Sequence, residues 1–294
     1  MKTNSQQIRW LHASFCVPAE WEITAYSMAE KEGRLEFCSR HGFQALFSWE
    51  PCKIEPDRKT LLTAFPVGAG WAGKGAGTED LHTEEVGCFV LGWRRGDLPC
   101  HALGYLKTAQ KRVRWIFSGA SPEMLAELVR PILVSVNENP GPVRRFTAFG
   151  LDFRLPGGYL PEHMLIQPAD VEMVFESRQK ARLSLHRWGF PEVLLQGGSL
   201  ETYYATFLRS RGAILRQIKT CPASGGLPEM VEAAYEQTGE HKLDRYMGRV
   251  WKNGEGRLWY DRTEKRLYAV EQIGPRNVPL LPVESVLTGR PHEA

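Results

Sequence analysis

The segment Phe15-Cys16-Val17-Pro18-Ala19-Glu20-Trp21 returns as Phe153-Arg154-Leu155-Pro156-Gly157-Gly158-Tyr159, so one pattern, Phe-x-aliphatic-Pro-x-x-aromatic, stands twice in the chain. This constrains the fold more than composition does, because whatever the first copy builds, the second must build again. Phe15 and Val17 alternate with Ser14 and Cys16 at strand periodicity. Proline cannot donate to a sheet ladder, so Pro18 and Pro156 end their strands and turn the chain towards the aromatic residue.

Further blocks follow in the same order. Leu35–Arg40 matches Met173–Arg178 without a gap, and a one-residue shift then aligns Trp49 with Trp188. Thr60–Phe65 matches Thr202–Phe207, and the hairpin Tyr105–Trp115 matches Trp259–Ala269, with Lys111-Arg112-Val113 set against Lys265-Arg266-Leu267. Five blocks in one order point to duplication. A unit of about 140 residues means paired domains rather than a solenoid, whose repeats run about 20–50 residues. The expected domains are residues 1–140 and 144–294, with Asn137–Pro142 as a linker by composition.

In the first repeat the pattern predicts strands over Ile8–Val17, Trp21–Met28, Arg34–Ser39 and Phe43–Trp49, then a helix from Asp57 to Phe65 stopped by Pro66. A glycine-rich loop, Gly68–Gly77, leads to strands Val86–Trp93, His101–Lys107 and Arg112–Ser118. A longer helix is expected from Ser121 to about Val136, its stripe of Leu125, Leu128, Val129, Ile132 and Leu133 able to cover a sheet face. The second repeat follows the same plan, with a longer helix from Ser199 to about Ile218 and a short, proline-interrupted closing helix over Pro279–Leu287.

On Phe15-x-Val17-Pro18-x-x-Trp21 with Leu35-x-Phe37, and Phe153-x-Leu155-Pro156-x-x-Tyr159 with Val174-Phe175, each repeat resembles a domain of the PsbP-like superfamily. The resemblance implies an α+β fold: two tandem repeats, each an antiparallel sheet flanked by helices in an α-β-α sandwich. It also implies a binding or assembly role, and supplies no catalytic positions to carry over.

The net charge of +3 over 294 residues gives no support to a general polyanion binder. No apolar run approaches the roughly 18 residues of a membrane span, and the polar Met1–Gln7 lacks a secretory core, which predicts a cytoplasmic protein without a membrane partner. The six cysteines include no Cys-x-x-Cys and read as reduced, small apolar residues. No metal or other cofactor is expected. His82 with Glu85 reads as part of a solvated acidic loop, and Trp21, Trp49, Trp115, Tyr159 and Trp188 read as core.

Two stretches are candidate binding sites. Gly68-Ala69-Gly70-Trp71-Ala72-Gly73-Lys74-Gly75 fits Gly-x-x-x-x-Gly-Lys, but Gly75 stands where magnesium needs Ser or Thr, and a helix rather than a strand precedes it. Gly70, Trp71, Gly73 and Lys74 are therefore the candidate contacts of a stretch that reads as a flexible binding loop or a plain surface loop rather than a phosphate site. The second stretch is Arg209, Arg211, Arg216 and Lys219, beside Tyr203 and Tyr204. Arginine with aromatic residues suits single-stranded nucleic acid, although a helix with solvated charges explains it more simply. The leading expectation is a non-catalytic binding or assembly module with another protein as partner. The alternative is a ligand-binding protein or enzyme using the cleft between repeats with Gly68–Gly77 as a lid, and nucleic-acid binding through Arg209–Lys219 ranks last.

Overall fold

Lys111–Ser118 reads Lys-Arg-Val-Arg-Trp-Ile-Phe-Ser, and Val113, Trp115 and Phe117 are fully buried on one face while Arg112, Arg114 and Ile116 point to the other. The same two-residue period runs through most of the molecule, and it makes a β protein. The structure is a computed structural model that describes residues 5–27, 29–40, 42–63, 81–94, 97–118, 122–139, 143–156, 158–167, 169–222, 229–237 and 252–275. The chain divides into two units, Met1–Phe149 and Gly150–Ala294.

In the first unit, β1 (Ser5–Trp10) and β2 (Ala13–Pro18) form a hairpin turned at Leu11 and His12, where a single strand is expected from the sequence. They join β10 (Asn137–Glu138) and β11 (Val143–Ala148) in the order β10-β2-β1-β11. The larger sheet contains β3 (Glu22–Tyr26), β4 (Gly33–Cys38), β5 (Gln44–Pro51), β6 (Leu81–Val86), β7 (Phe89–Arg94), β8 (Asp97–Leu106) and β9 (Lys111–Ser118), in the antiparallel order β3-β4-β5-β9-β8-β7-β6. Leu81–Val86 is thus a strand, not an acidic loop, and Gly87 (φ +60°) turns it into β7. α1 (Arg58–Thr63) begins where Asp57 Oδ1 accepts from Thr60 N at 2.7 Å. The segment from Pro122 to Ser135 is helical as α2 (Pro122–Met124), a π turn (Leu125–Val129) and α3 (Arg130–Ser135).

The second unit begins with β12 (Leu151–Pro156) and builds a seven-stranded sheet from β13 (Tyr159–Gln167), β14 (Asp170–Ser177), β15 (Arg182–Trp188), β16 (Ala213–Cys221), β17 (Met230–Gln237), β18 (Lys252–Asp261) and β19 (Arg266–Pro275). Its order, β13-β14-β15-β19-β18-β17-β16, is that of the first sheet strand for strand. α4 (Pro191–Leu195) and α5 (Leu200–Ser210) lie between β15 and β16. Among the described residues, three of the four outer strands of the two large sheets pair through a bulge: β3 at Ile23/Ala25, β13 at Pro161/His163 and β16 at Leu215/Gln217.

The α-β-α sandwich is corrected here, and with it the PsbP-like α+β picture. One face of the first large sheet is covered by a strand: Phe15 of β2 packs on Phe37, Phe47 and Trp115, with ring centroids 4.9–6.0 Å apart. The expected long helix does form, but α3 packs mainly on β2, with Ser135 Oγ accepting from Cys16 N at 2.9 Å, and meets the large sheet at its outer strand β6, where Arg130 donates to Glu84 Oε2 at 2.6 Å. In the second unit Phe153 of β12 meets Phe175 in the same way, at 5.5 Å. Aromatic side chains on both layers let a strand bury one face of each large sheet, so helices are needed on one face at most.

Two of the sequence matches are also shifted. Ser39 and Ser177 hold the same turn: Ser39 N donates to Phe43 O and Phe43 N to Ser39 Oγ, as Ser177 N does to Ala181 O and Ala181 N to Ser177 Oγ. Trp49 stands ten residues past Ser39 and Trp188 eleven past Ser177, so they face opposite sides of their sheets. Trp49 lies beside Phe47, and Trp188 packs on Tyr203 and Phe207 of α5. The Lys-Arg-aliphatic match slips likewise, because Gln110 and Lys265, both at φ +51°, occupy the same turn position. The five aromatic residues expected in the core, Trp21, Trp49, Trp115, Tyr159 and Trp188, are all buried.

Candidate functional site

The ladder registers place Arg34, Ser48, Arg114, Leu103 and Val90 in one row across β4, β5, β9, β8 and β7, on the face that Phe15 does not cover. Beside this row, Glu50 stands opposite Arg112, and Arg112 donates to Glu50 Oε1 through Nε at 2.5 Å. Ser27, Glu32, Gly33, Arg34, Ser48, Trp49, Glu50, Leu103, Arg112 and Arg114 line a cavity of about 500 Å³.

Arg114 is the group that stands out. Arg112 has Glu50, and Arg34 pairs with Glu36 at 2.9 Å. Among the described residues no carboxylate lies within ion-pair distance of Arg114, and its buried Nε has no hydrogen-bond partner. Its Nη2 lies 2.9 Å from His101 Nδ1. Burial, with the Arg114 charge added, pushes the pKa of His101 down to about 4, so the ring is neutral at pH 7 and Nδ1 accepts from the guanidinium. Burial also holds the Arg114 pKa below its usual value, with Glu50 opposing. A half-buried cation oriented by a neutral ring is a ready donor for an anion.

The second unit answers the same row with different chemistry. Glu172, His186, Ala269, Leu258 and Val231 occupy it across β14, β15, β19, β18 and β17. Where Glu50 faces Arg112 in the first unit, Trp188 faces Leu267, and α5 lays Tyr204 and Leu208 on this apolar surface. Ser199 caps α5 by accepting from Thr202 N at 3.1 Å. Gly212 (φ +79°) follows its last turn, where Arg211 swings its side chain back onto the row. Arg211 donates to Glu172 Oε1 at 2.6 Å, lies 3.1 Å from His186 Nε2 and 3.8 Å from Glu271 Oε2, and sits 5.3 Å from the Phe207 ring centre. Burial alone would raise the Glu172 pKa, but the Arg211 hydrogen bond and the His186 charge outweigh it and hold it low. In this network the arginine already has its carboxylate partners, and it fastens α5 to the sheet.

Two close approaches make room for α5 and its neighbour. A Cβ on Gly256 would overlap Tyr204 Oη, and one on Gly254 would overlap the Tyr235 ring. Lys252–Gly254 is part of β18, paired with β17 and β19, although Asn-Gly is by itself a turn signal.

Of the residues singled out from the sequence, Gly70, Trp71, Gly73 and Lys74 lie outside the described residues, as do the rest of Gly68–Gly77 and the closing segment Pro279–Leu287. Arg209 is exposed at the end of α5, and Arg211 belongs to the buried network. The helix does not continue to Ile218: Arg216 and Lys219 are on β16, paired with Glu236 and with Glu232 respectively, the latter at 2.8 Å. The four cations are therefore not one helical stripe. Arg34 and Arg114 were not singled out, although Arg112-Val113-Arg114-Trp115 alternates plainly enough to put both arginines on one strand face. Among the described residues no cluster of His, Cys, Asp and Glu fits a metal ion, the six cysteines are unpaired, and no helix is long and apolar enough to cross a membrane.

No family model matches the chain, and no curated protein matches it. Among solved structures, the apo structure of the immunity protein TplEi of T6SS from Pseudomonas aeruginosa is similar at 10% identity and a TM-score of 0.34, covering 95% of this chain and 90% of that one. The isotype 1 transferrin binding protein B from serogroup B Neisseria meningitidis is similar at 8% identity and a TM-score of 0.13, covering 90% of this chain and 57% of that one. Likenesses this slight carry no weight for either fold or function.

Proposed function

We propose that the chain is a non-catalytic module that binds another protein through the arginine-bearing face of its first large sheet. The observation that carries this reading is Arg114, a half-buried guanidinium lining the cavity with no ion-pair partner among the described residues. Sites for small molecules are mainly apolar and enclosed. This one is lined by five charged side chains, with Leu103 the buried aliphatic residue among them. Ser48 is the hydroxyl on the row, and among the described residues no base is hydrogen-bonded to it, so nothing activates it as a nucleophile. Three of the four outer strands are bulged, which disfavours recruitment of a partner by strand addition and leaves side-chain faces as the contact surface.

The test is affinity capture with the full chain as bait, comparing wild type with Arg114→Gln and with Lys219→Gln on the second unit. A protein retained by wild type and by the Lys219 variant but lost with Arg114→Gln is expected. A retained set identical for all three baits would count against the reading.

A further inference from the structure

We propose that the group accepted at the arginine row is a carboxylate on an acidic segment of the partner protein. This rests on the protein-binding reading above and names the chemistry of the same site.

Charge decides between anions. Arg34 pairs with Glu36 and Arg112 with Glu50, so Arg114 is the cavity arginine left without an acidic partner among the described residues. A carboxylate carries one negative charge and matches that single cation. A phosphate monoester carries about 1.5 to 2 at pH 7 and would leave net negative charge beside two glutamates. A nucleic acid would bring several phosphates to the same place, and Glu36 beside Arg34 would add to the repulsion.

Geometry agrees. His101 is buried and holds Arg114 Nη2, so the guanidinium is oriented before a ligand arrives and little rotamer entropy is lost on binding. Leu103 follows Arg114 in the row and packs with Val90 and with Leu61 of α1 in a buried apolar cluster, so the row passes from charged to apolar at that point.

The second unit shows what this station does when occupied. There the sheet supplies the acid, Glu172, at the place of Arg34, and an arginine from the end of α5 comes down on it at 2.6 Å. The first unit reverses the sign on the sheet, so the incoming element supplies the carboxylate.

The experiment uses the full chain and three fluorescently labelled peptides built from Ala and Leu with, in turn, Glu, Gln or phosphoserine at the polar positions. Fluorescence anisotropy gives the affinities of wild type, Arg114→Gln and Arg34→Gln. The Arg34 side chain is 62% exposed, so the Arg34 variant keeps the fold even if the Arg114 variant does not. The Glu peptide is expected to bind wild type and the Gln peptide not to. Arg114→Gln should weaken the Glu peptide about tenfold or more, as loss of a charge-assisted hydrogen bond does, and Arg34→Gln severalfold. Tighter, arginine-dependent binding of the phosphoserine peptide would overturn the carboxylate assignment and leave the protein-binding reading standing. Equal binding of Glu and Gln peptides, or no response to either arginine variant, would overturn both.

Discussion

Replacing Arg211 by methionine tests how the second unit holds its helix. The substitution keeps most of the side-chain bulk and removes the charge from a site where Glu172 and Glu271 stay behind, with Glu271 3% exposed and Glu172 18%. Breaking a buried ion pair from one side costs about 3–5 kcal/mol, because the remaining charge is stranded. Arg211 is itself 32% exposed, so water screens part of the interaction and the lower end, about 3 kcal/mol, is the expected loss. For a unit of this size that is a fall in Tm of about 6–12 °C, read by calorimetry and by urea titration at pH 7. Adding Glu172→Gln and Glu271→Gln to Arg211→Met should restore more than half of the loss, since neutral amides strand no charge. A loss under about 1 kcal/mol, the scale of a solvated surface pair, would refute the claim that this network fastens α5 to the sheet.

Two further outcomes follow from local geometry. Gly256→Ala drives a Cβ into Tyr204 Oη and should destabilise by about 1–3 kcal/mol in a urea titration, and Tyr204→Phe should recover most of this because it removes the atom that the Cβ meets; strict additivity of the two would contradict the close approach. His101 is held neutral, with a folded pKa near 4 against about 6.5 unfolded, so the unfolded chain binds the extra proton between these values. Stability from this residue is complete above pH 6.5 and is lost as pH falls towards 4, by at most about 3 kcal/mol. His101→Gln should flatten that part of the pH–stability curve, and an unchanged curve would remove His101 as its cause.

Much of the architecture is legible in the residues. The repeated Phe-x-aliphatic-Pro pattern falls on β2 and β12, and Leu35-x-Phe37 and Met173-x-Phe175 fall on the equivalent strands β4 and β14. Faces are harder to read than strands. A one-residue slip costs nothing in an alignment that rewards tryptophan against tryptophan, yet it turns Trp49 and Trp188 to opposite sides. The α+β reading failed because it assigned sheet-covering work to helices, whereas Phe15 and Phe153 do it from strands. Ala213–Lys219 has Ile214, Leu215 and Ile218 at helical spacing, so it reads as more of α5, and only Gly212 marks the break. Asn253-Gly254 carries a hairpin signal, but its glycine serves Tyr235, a partner far away in sequence. The arginine row was missed for a similar reason: Arg34 and Arg114 are 80 residues apart, and only the ladders bring them together.

The bulged outer strands bear on how the chain survives its own synthesis. β5 must wait for β9, and β15 for β19, so each large sheet closes only after most of its unit has been made. Topologies dominated by such distant pairings fold slowly, and half-finished sheets spend that time with apolar strands open to other copies. Once closed, β3, β13 and β16 offer neighbours an interrupted, kinked ladder instead of a flat one. Misassembly is therefore a hazard of the nascent chain rather than of the finished protein, and stocks that refold in dilute solution should store without forming fibrils.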